Sequence, residues 1–579
     1  MVRDETETKT FLQFHETETS DFATRRDRDR DHPVRLKHSG QEKTVVIPVF
    51  DFYDDLETAN PLGSHAVIHK VGVKYTVVKG FSPIVNSKLE NIFLNMVINS
   101  SERTTHGVFD IYLDEMSKLE TEGFSVTLDD GESYKVFVVM VQVIGDNLGL
   151  NGLLGYVEGF TANYPCRLCK MARLDFNTTF SEQELLRGPD SYDDDVLICN
   201  PTMTGVKDCC PYNVLPSFHA TDNVHCDIMH DIAEGVCRYV IASVLNCLIY
   251  DRKYFALHTL NGRKSAFSFD YSSPPPLLTA DNIKKGTLYL TAIEMLNLVL
   301  ALNLMVGDLV PDGDPAWEVY LMLRLIVLYC CGLAFSVDEL QYFQTIVEQF
   351  LQEYRSVFAS PVTLKFHNMV HDPRVIRMFG PLYHSWVIRC EAKHADLKKV
   401  AHSAGNFKNI CRTLAVRHQM QQAERFLSHR GFDEVGCLYL PASKIQTIFL
   451  CDLVDGRKIS QLLGHYGLFR ELFTSKCVCV SSIYYHTDDV LVYMQDQDNV
   501  FPDFVKISEI YIMDDHQCVF VCTLLHASIL HYHFQAYEVV DSAEMVVLHA
   551  KSLQDLPSPW PLKMRVVNEI SYVSLRHKI

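Results

Sequence analysis

Apolar residues along this chain change their spacing from region to region. Almost none occur before Lys43, where Glu, Thr, Asp and Arg dominate and Arg26 to Asp31 alternate in sign. Such a stretch buries too little apolar surface to offset chain entropy, so residues 1–43 read as a disordered charged tail and solvated linker. Thr44 to Phe50 is a β-branched apolar run that predicts a strand. Asn60-Pro61-Leu62-Gly63-Ser64 signals a turn, and Val71 to Val78 a second strand. Lys88–Asn99 and Gly107–Glu122 carry a helical pattern, and Tyr134 to Ile144 is a buried strand ending at Gly145-Asp146. Gly155 to Leu215 is irregular. Helical periodicity then covers Asn223–Leu248, Tyr289–Met305, Ala316–Leu333, Val337–Val357, Arg389–Val400 and Phe407–Leu427. Beyond Ser475 short strands alternate, at Val478–Ser481, Val490–Met494, Phe504–Met513, Cys518–Leu525 and Tyr532–Val540.

The expected organisation is an α/β fold. A core begins over residues 44–155 and is interrupted over 156–375 by a large, mostly α-helical insertion. It ends over 376–459 with an acidic helix, and a small, mostly β domain occupies 460–579. Hydrophobic residues make up 47% of the 579 and charged residues 22%, which is globular composition. The net charge of -19 repels phosphates, so DNA contact over the whole surface is weak and needs a local basic surface or a separate DNA-binding segment. No secretory apolar segment is seen, so the 18 cysteines read as reduced thiols or metal ligands. The most apolar stretch, Val319 to Phe335, is short and contains Arg324, which favours a buried helix over a membrane span. The expectation is a soluble intracellular protein, nuclear or cytoplasmic, without a membrane partner.

Three acids stand where catalytic chemistry is built. Asp54 follows the first strand, Asp146 follows another apolar strand, and Glu391 lies near the start of a helix whose Glu391, His394 and Lys398 share a face. Carboxylates from two strand ends and a helix can hold Mg²⁺ or Mn²⁺, and two such ions stabilise both the attacking and the leaving oxygen of a phosphodiester. Asp55 is the neighbouring alternative to Asp54, while Asp51 and Glu57 read as turn or solvent residues. With 72 acidic residues in the chain, position alone does not select these three.

Cys166-Arg167-Leu168-Cys169 is a Cys-x-x-Cys knuckle, and His225-Cys226-Asp227-Ile228-Met229-His230 lies downstream. Two thiolates with one or two distal ligands make a closed Zn²⁺ site of structural type, stapling a loop that lacks its own core. His367 and His371, at i, i+4 spacing, could bind metal, but the Glu of a zincin motif is absent, so the expectation is packing or surface histidines, with a supporting role near the active site as the alternative for His367.

Tyr53-Asp54-Asp55-Leu56-Glu57-Thr58-Ala59-Asn60-Pro61-Leu62-Gly63-Ser64, Gly145-Asp146-Asn147-Leu148-Gly149-Leu150-Asn151-Gly152-Leu153-Leu154-Gly155 and Cys390-Glu391-Ala392-Lys393-His394, followed by Leu397-Lys398 and Gly405 to Asn409, resemble in order the three acidic motifs of CACTA (En/Spm)-like cut-and-paste DNA transposases. The resemblance spans residues 44–430. It implies an RNase H-like core with Asp54, Asp146 and Glu391 as the catalytic, Mg²⁺-binding triad. It favours Asp54 over Asp55, because the family's Asp directly follows the strand-end aromatic pair. It also implies that Asp227 and His230 complete the zinc site with Cys166 and Cys169, Cys226 and His225 being the alternatives for the third ligand. The implied function is two-metal hydrolysis and strand transfer on DNA. The chain departs from the family in showing no Cys₂His₂ finger, helix-turn-helix or basic domain before Lys43. A catalytically retired, domesticated scaffold is therefore the alternative, with the C-terminal domain contacting a protein partner.

Overall fold

The computed structural model describes residues 43–58, 70–79, 81, 83–102, 107–182, 185–269, 273–405, 408–428, 438–439, 445–453, 455–464, 467–469, 471–480, 483–493, 501–513 and 518–579. The expected tail, the turn at Asn60–Ser64 and the motif residues Asn406 and Phe407 lie outside them. The fold is mixed α/β with a β-rich C-terminal region, and the chain divides into two compact units. One comprises residues 1–236 and 332–433, the other 237–331 and 434–579.

The first unit is built on five strands, β1 (Thr44–Glu57), β2 (Lys70–Val78), β3 (Phe93–Asn99), β4 (Phe124–Thr127) and β5 (Ser133–Gly145), in the order β3-β2-β1-β5-β4. β1 runs parallel to β5, and the other pairings are antiparallel. Phe52, Val73, Tyr75, Val139, Met140 and Val143 are fully buried, so the central strands carry the core. Pro48 removes a ladder donor from a central strand, and the β1–β5 register slips just after it, between Val49 and Phe50. Helix α1 (Asp110–Thr121) packs on β5, where the buried Glu120 accepts a hydrogen bond from the Met140 N–H at 2.9 Å.

The segment expected as a helix over Lys88–Asn99 is a short 3₁₀ turn, Leu89–Asn91, followed by β3. Its apolar residues fit either period, and the free edge of β2 selects the extended form. Asp51, expected at a turn or in solvent, is fully buried in β1. Lys74 lies 3.1 Å from its carboxylate, and Thr76, Tyr112 and Tyr212 donate to it. Three hydroxyl donors and the Lys74 ammonium make this buried charge tolerable.

Beyond β5 the first unit contains α2 (Asn147–Leu153), α3 (Pro189–Ile198), α4 (Val337–Phe358), α5 (Leu364–Asn368), α6 (Asp372–Phe379), α7 (Ile388–Ala404) and α8 (Ile410–Leu427). In α8 the buried His418 accepts the Leu94 N–H, and burial pushes its pKa down to about 4, consistent with a neutral acceptor.

The second unit groups the helices Cys237–Asn246, Ala292–Val306 and Pro315–Cys330 with the C-terminal strands, a regrouping relative to the expected boundaries. Strands 489–493, 562–567, 570–573, 536–549, 518–531 and 503–512 pair in succession, and the last pairs with the first, closing a ring. The fully buried Arg324 explains the regrouping: its guanidinium donates to Leu300, Gln535, Ser574 and Leu575. Two helical stretches, Met229–Asp251 and Ala292–Leu309, have the length and apolarity of a membrane span, but 67% and 78% of their most apolar windows are buried inside the protein, as in core helices.

Candidate active site and metal centre

Strand register brings the first two acids together. Tyr53 of β1 is paired with Gly145 of β5 in parallel; Asp54 is the next residue on β1, and Asp146 the first residue after β5. A Cβ on Gly145 would lie 2.7 Å from the Tyr53 carbonyl oxygen, so the close approach needs glycine. β1 continues to Glu57, so Asp54 sits within the strand rather than at its end. Side chains alternate across the strand. Asp55 is engaged by Tyr53, Ser100 and Lys70, whereas Asp54 faces His394.

Asp146 caps α2, its Oδ1 accepting the Gly149 N–H at 2.6 Å. A Cβ on Gly149 would fall 2.6 Å from that oxygen, so glycine keeps the carboxylate in place. Burial raises the Asp146 pKa above the usual carboxylate range; the Gly149 hydrogen bond opposes this, the Asp54 charge adds to it, and His230 and Arg167 oppose it.

The third acid arrives on α7. Asn223 runs beside β5, its carbonyl accepting the Val143 N–H at 3.0 Å and its side chain donating to Val141. Val224 pairs with Val143 in parallel. The chain then reaches Asp227, whose Oδ1 accepts the Val387 N–H ahead of α7 and whose Oδ2 accepts the His230 N–H. His230 lies in a π-helical turn, Met229–Val236. Its Nδ1 is 2.8 Å from Asp227 Oδ2 and its Nε2 3.2 Å from Glu391 Oε1. Burial works against its charge, but the Asp227 and Glu391 carboxylates push His230 up to about 11. One turn after Glu391, His394 places Nε2 3.0 Å from Asp54 Oδ2 and Nδ1 2.9 Å from the Tyr75 hydroxyl. Asp54, Asp146 and Glu391 thus meet around two imidazoles, His394 bonded to Asp54 and His230 placed between Asp227 and Glu391, with His230 also within electrostatic range of Asp146. Carboxylates in this arrangement can bind divalent cations or exchange protons with the two histidines.

Cys166 and Cys169 assemble with His367 and His371, not with Asp227 and His230. The four ligand atoms lie within 4.8 Å of one another, all four residues are buried, and the cluster could hold a metal ion. Cys166 Sγ is 3.6 Å from His371 Nε2, Cys169 Sγ 3.3 Å from His367 Nε2, and the two Nε2 atoms are 3.3 Å apart. Asp227 is unsuited to this set because its oxygens cap His230 and Val387. Cys226 and His225 are likewise outside it: the His225 Nδ1 meets the Cys226 carbonyl. Phe176 stacks on His367 at 4.0 Å, and Glu182 meets His371 Nδ1 at 2.6 Å. Burial resists a charge on Cys166, but Cys169 and the two imidazoles hold its pKa well below the usual thiol range. The bond to Cys166, then burial, pushes Cys169 up, so two thiolates together call for a cation.

The missed pair carried a signal. Cys-x-x-Cys followed by His-x-x-x-His is the spacing of a Cys₂His₂ site, obscured here because His367 lies 198 positions after Cys169. His394 was legible only as a neighbour of Glu391 on a helical face. No protein-family model matches the chain, and no curated protein matches it in sequence.

Proposed function

We propose that this chain is the catalytic core of a DDE-type DNA transposase, in which Asp54, Asp146 and Glu391 hold Mg²⁺ or Mn²⁺ and direct phosphodiester hydrolysis and strand transfer on DNA. The observation that carries this reading is the convergence of the three acids from two adjacent parallel strands and one helix. The strand order β3-β2-β1-β5-β4, with β1, β2 and β3 antiparallel and β5 parallel to β1, supports an RNase H-like core, to which the short β4 adds an antiparallel edge. The cations would activate a water or 3′-hydroxyl and stabilise the leaving oxygen. The protein's part is to fix the carboxylates: Gly149 and α2 orient Asp146, and Asp227 sets the approach of α7. Cys166, Cys169, His367 and His371 fit a structural Zn²⁺, whose tetrahedral preference matches two thiols and two imidazoles.

The test is incubation of the full chain with supercoiled and short duplex DNA in Mn²⁺ or Mg²⁺. Metal-dependent nicking or joining that disappears in Asp146→Asn and Glu391→Gln supports the enzyme. A second reading, a retired scaffold, is favoured by one observation: Asp54 and Glu391 are already bonded to His394 and His230, which a cation must displace. Under that reading the wild type shows no cleavage, and the substitutions change nothing but stability.

A further inference from the structure

Four buried polar side chains link the Cys/His cluster to the carboxylates in a closed ring. Arg167 stands between the two knuckle cysteines. Its Nη1 donates to Asn147 Oδ1 at 2.9 Å and Asn151 Oδ1 at 3.0 Å, and its Nη2 to the His225 carbonyl at 2.8 Å. Asn147 donates to Asp231 Oδ1 at 2.5 Å, and Asn368 donates to Asp231 Oδ2 at 2.8 Å. Asn368 adjoins His367, so the path leaves the cluster at its cysteines and returns at its histidines. Arg167, Asn147, Asp231 and Asn368 are 3%, 6%, 2% and 2% exposed, so water does not compete for these bonds.

We propose that this ring makes Arg167, Asn147 and Asn368 positioning residues, through which a filled Cys/His centre sets the spacing of Asp146 and Glu391. The inference rests on the reading of those acids as a cation site. The two middle members are chain neighbours of the groups concerned. Asn147 follows Asp146 and begins α2. Asp231 follows His230, which contacts Glu391. Both heteroatoms of the Asn147 amide and both oxygens of Asp231 are engaged, so neither residue can shift alone without breaking a bond. The ring closes only when the cysteine and histidine segments are held together, which is what a metal bound by all four ligands does. Displacement at the centre therefore moves Asp146 and His230 together.

The test uses the full chain with zinc, and then cobalt, in the Cys/His centre. Mn²⁺ binding is followed by the electron paramagnetic resonance of free Mn²⁺, in wild type, Asn147→Ala, Asn368→Ala and a control, Asn91→Ala. The control removes two buried bonds outside the ring, one donated to the Val85 carbonyl and one accepted from Arg425 Nη2. Partners behind metal ligands typically change affinity by about 10–100-fold, and a loss in that range is expected for both ring variants, with one zinc per chain retained and the control unaffected. In the cobalt form, spectroscopically silent Mg²⁺ should shift the d–d bands in wild type and leave them unmoved in both ring variants, because coupling is reciprocal. Unchanged Mn²⁺ affinity in the ring variants, an equal loss in the control, or a cobalt shift that survives in them overturns the ring while leaving the carboxylate reading standing. A wild type that takes up no Mn²⁺ overturns both. Should Asn147→Ala fail to fold by circular dichroism, Asn368→Ala decides, since it removes only one donor to Asp231.

Discussion

Replacing Glu182 by Gln isolates the electrostatic support of the Cys/His centre. Glu182 Oε1 lies 2.6 Å from His371 Nδ1 and 2.7 Å from Arg374 Nε, with 13% of the side chain exposed. His371 therefore presents Nε2 to the cluster, and the carboxylate raises its basicity. Burial resists the charge of Glu182, but His371 and Arg374 hold its pKa below the usual range. Gln preserves shape and an acceptor but removes the charge. The expected loss is about 10–100-fold in zinc affinity, or roughly 1.4–2.8 kcal/mol at 1.4 kcal/mol per decade. The assay is competition with a chromophoric zinc chelator at neutral pH, with zinc content per chain measured in parallel. Lower pH weakens zinc binding in both proteins, because protons compete for the thiolates. Glu182's contribution is present above its unfolded pKa and fades only as pH falls through its lowered folded value, so the gap persists across pH 6–8. A Glu182→Gln variant that binds zinc within twofold of wild type refutes the reasoning.

Three further outcomes follow from the same geometry. Mg²⁺ should raise the melting temperature of the wild type by mass action and leave Asp146→Asn unmoved; because the folded Asp146 pKa is raised, the metal-free variant should be the more stable one above that pKa, as thermal scans at neutral pH would show. Lys74 is fully buried, and desolvation, against the pull of Asp51, lowers its pKa from 10.5 to about 8. The fold thus binds fewer protons than the unfolded chain between those values, and stability rises with pH there. Relative to Lys74→Met, the wild type should gain about 2 kcal/mol between pH 7 and 9.5 of roughly 3 kcal/mol in all, and a flat difference in urea midpoints contradicts the burial. Arg324→Ala orphans four acceptors in the second unit and should lower its unfolding free energy by at least about 3 kcal/mol by chemical denaturation.

Strands and long helices were legible because their periodicity is local: β5 and α4 fall within one residue of expectation, whereas β1 starts where expected but runs on from Phe50 to Glu57. The misread Lys88–Asn99 segment owes its form to the exposed edge of β2, which no local window contains. Asp51 looked like a turn acid because its donors, Lys74, Tyr112 and Tyr212, are distant in sequence. The three acids were legible through motif order, and the juxtaposition of Asp54 with Asp146 depends on a parallel register that the motifs do not state. Asp227 and His230 were assigned to metal through the family resemblance, whose Asp-x-x-His pattern they fit. The spacing equally suits a cap, and the start of α7 takes it as one.

The separation of the cysteines from their histidines also bears on synthesis. Cys169 precedes His367 by 198 positions, so at about 5–20 residues per second the thiols are made roughly 10–40 s before the imidazoles. During that interval the knuckle has two ligands at most from this set, and its thiols are open to oxidation or to scavenging of loosely held zinc. Were zinc the occupant, as proposed, its supply and the reducing capacity after His367 is made, rather than at the start of translation, would decide how much of the chain matures.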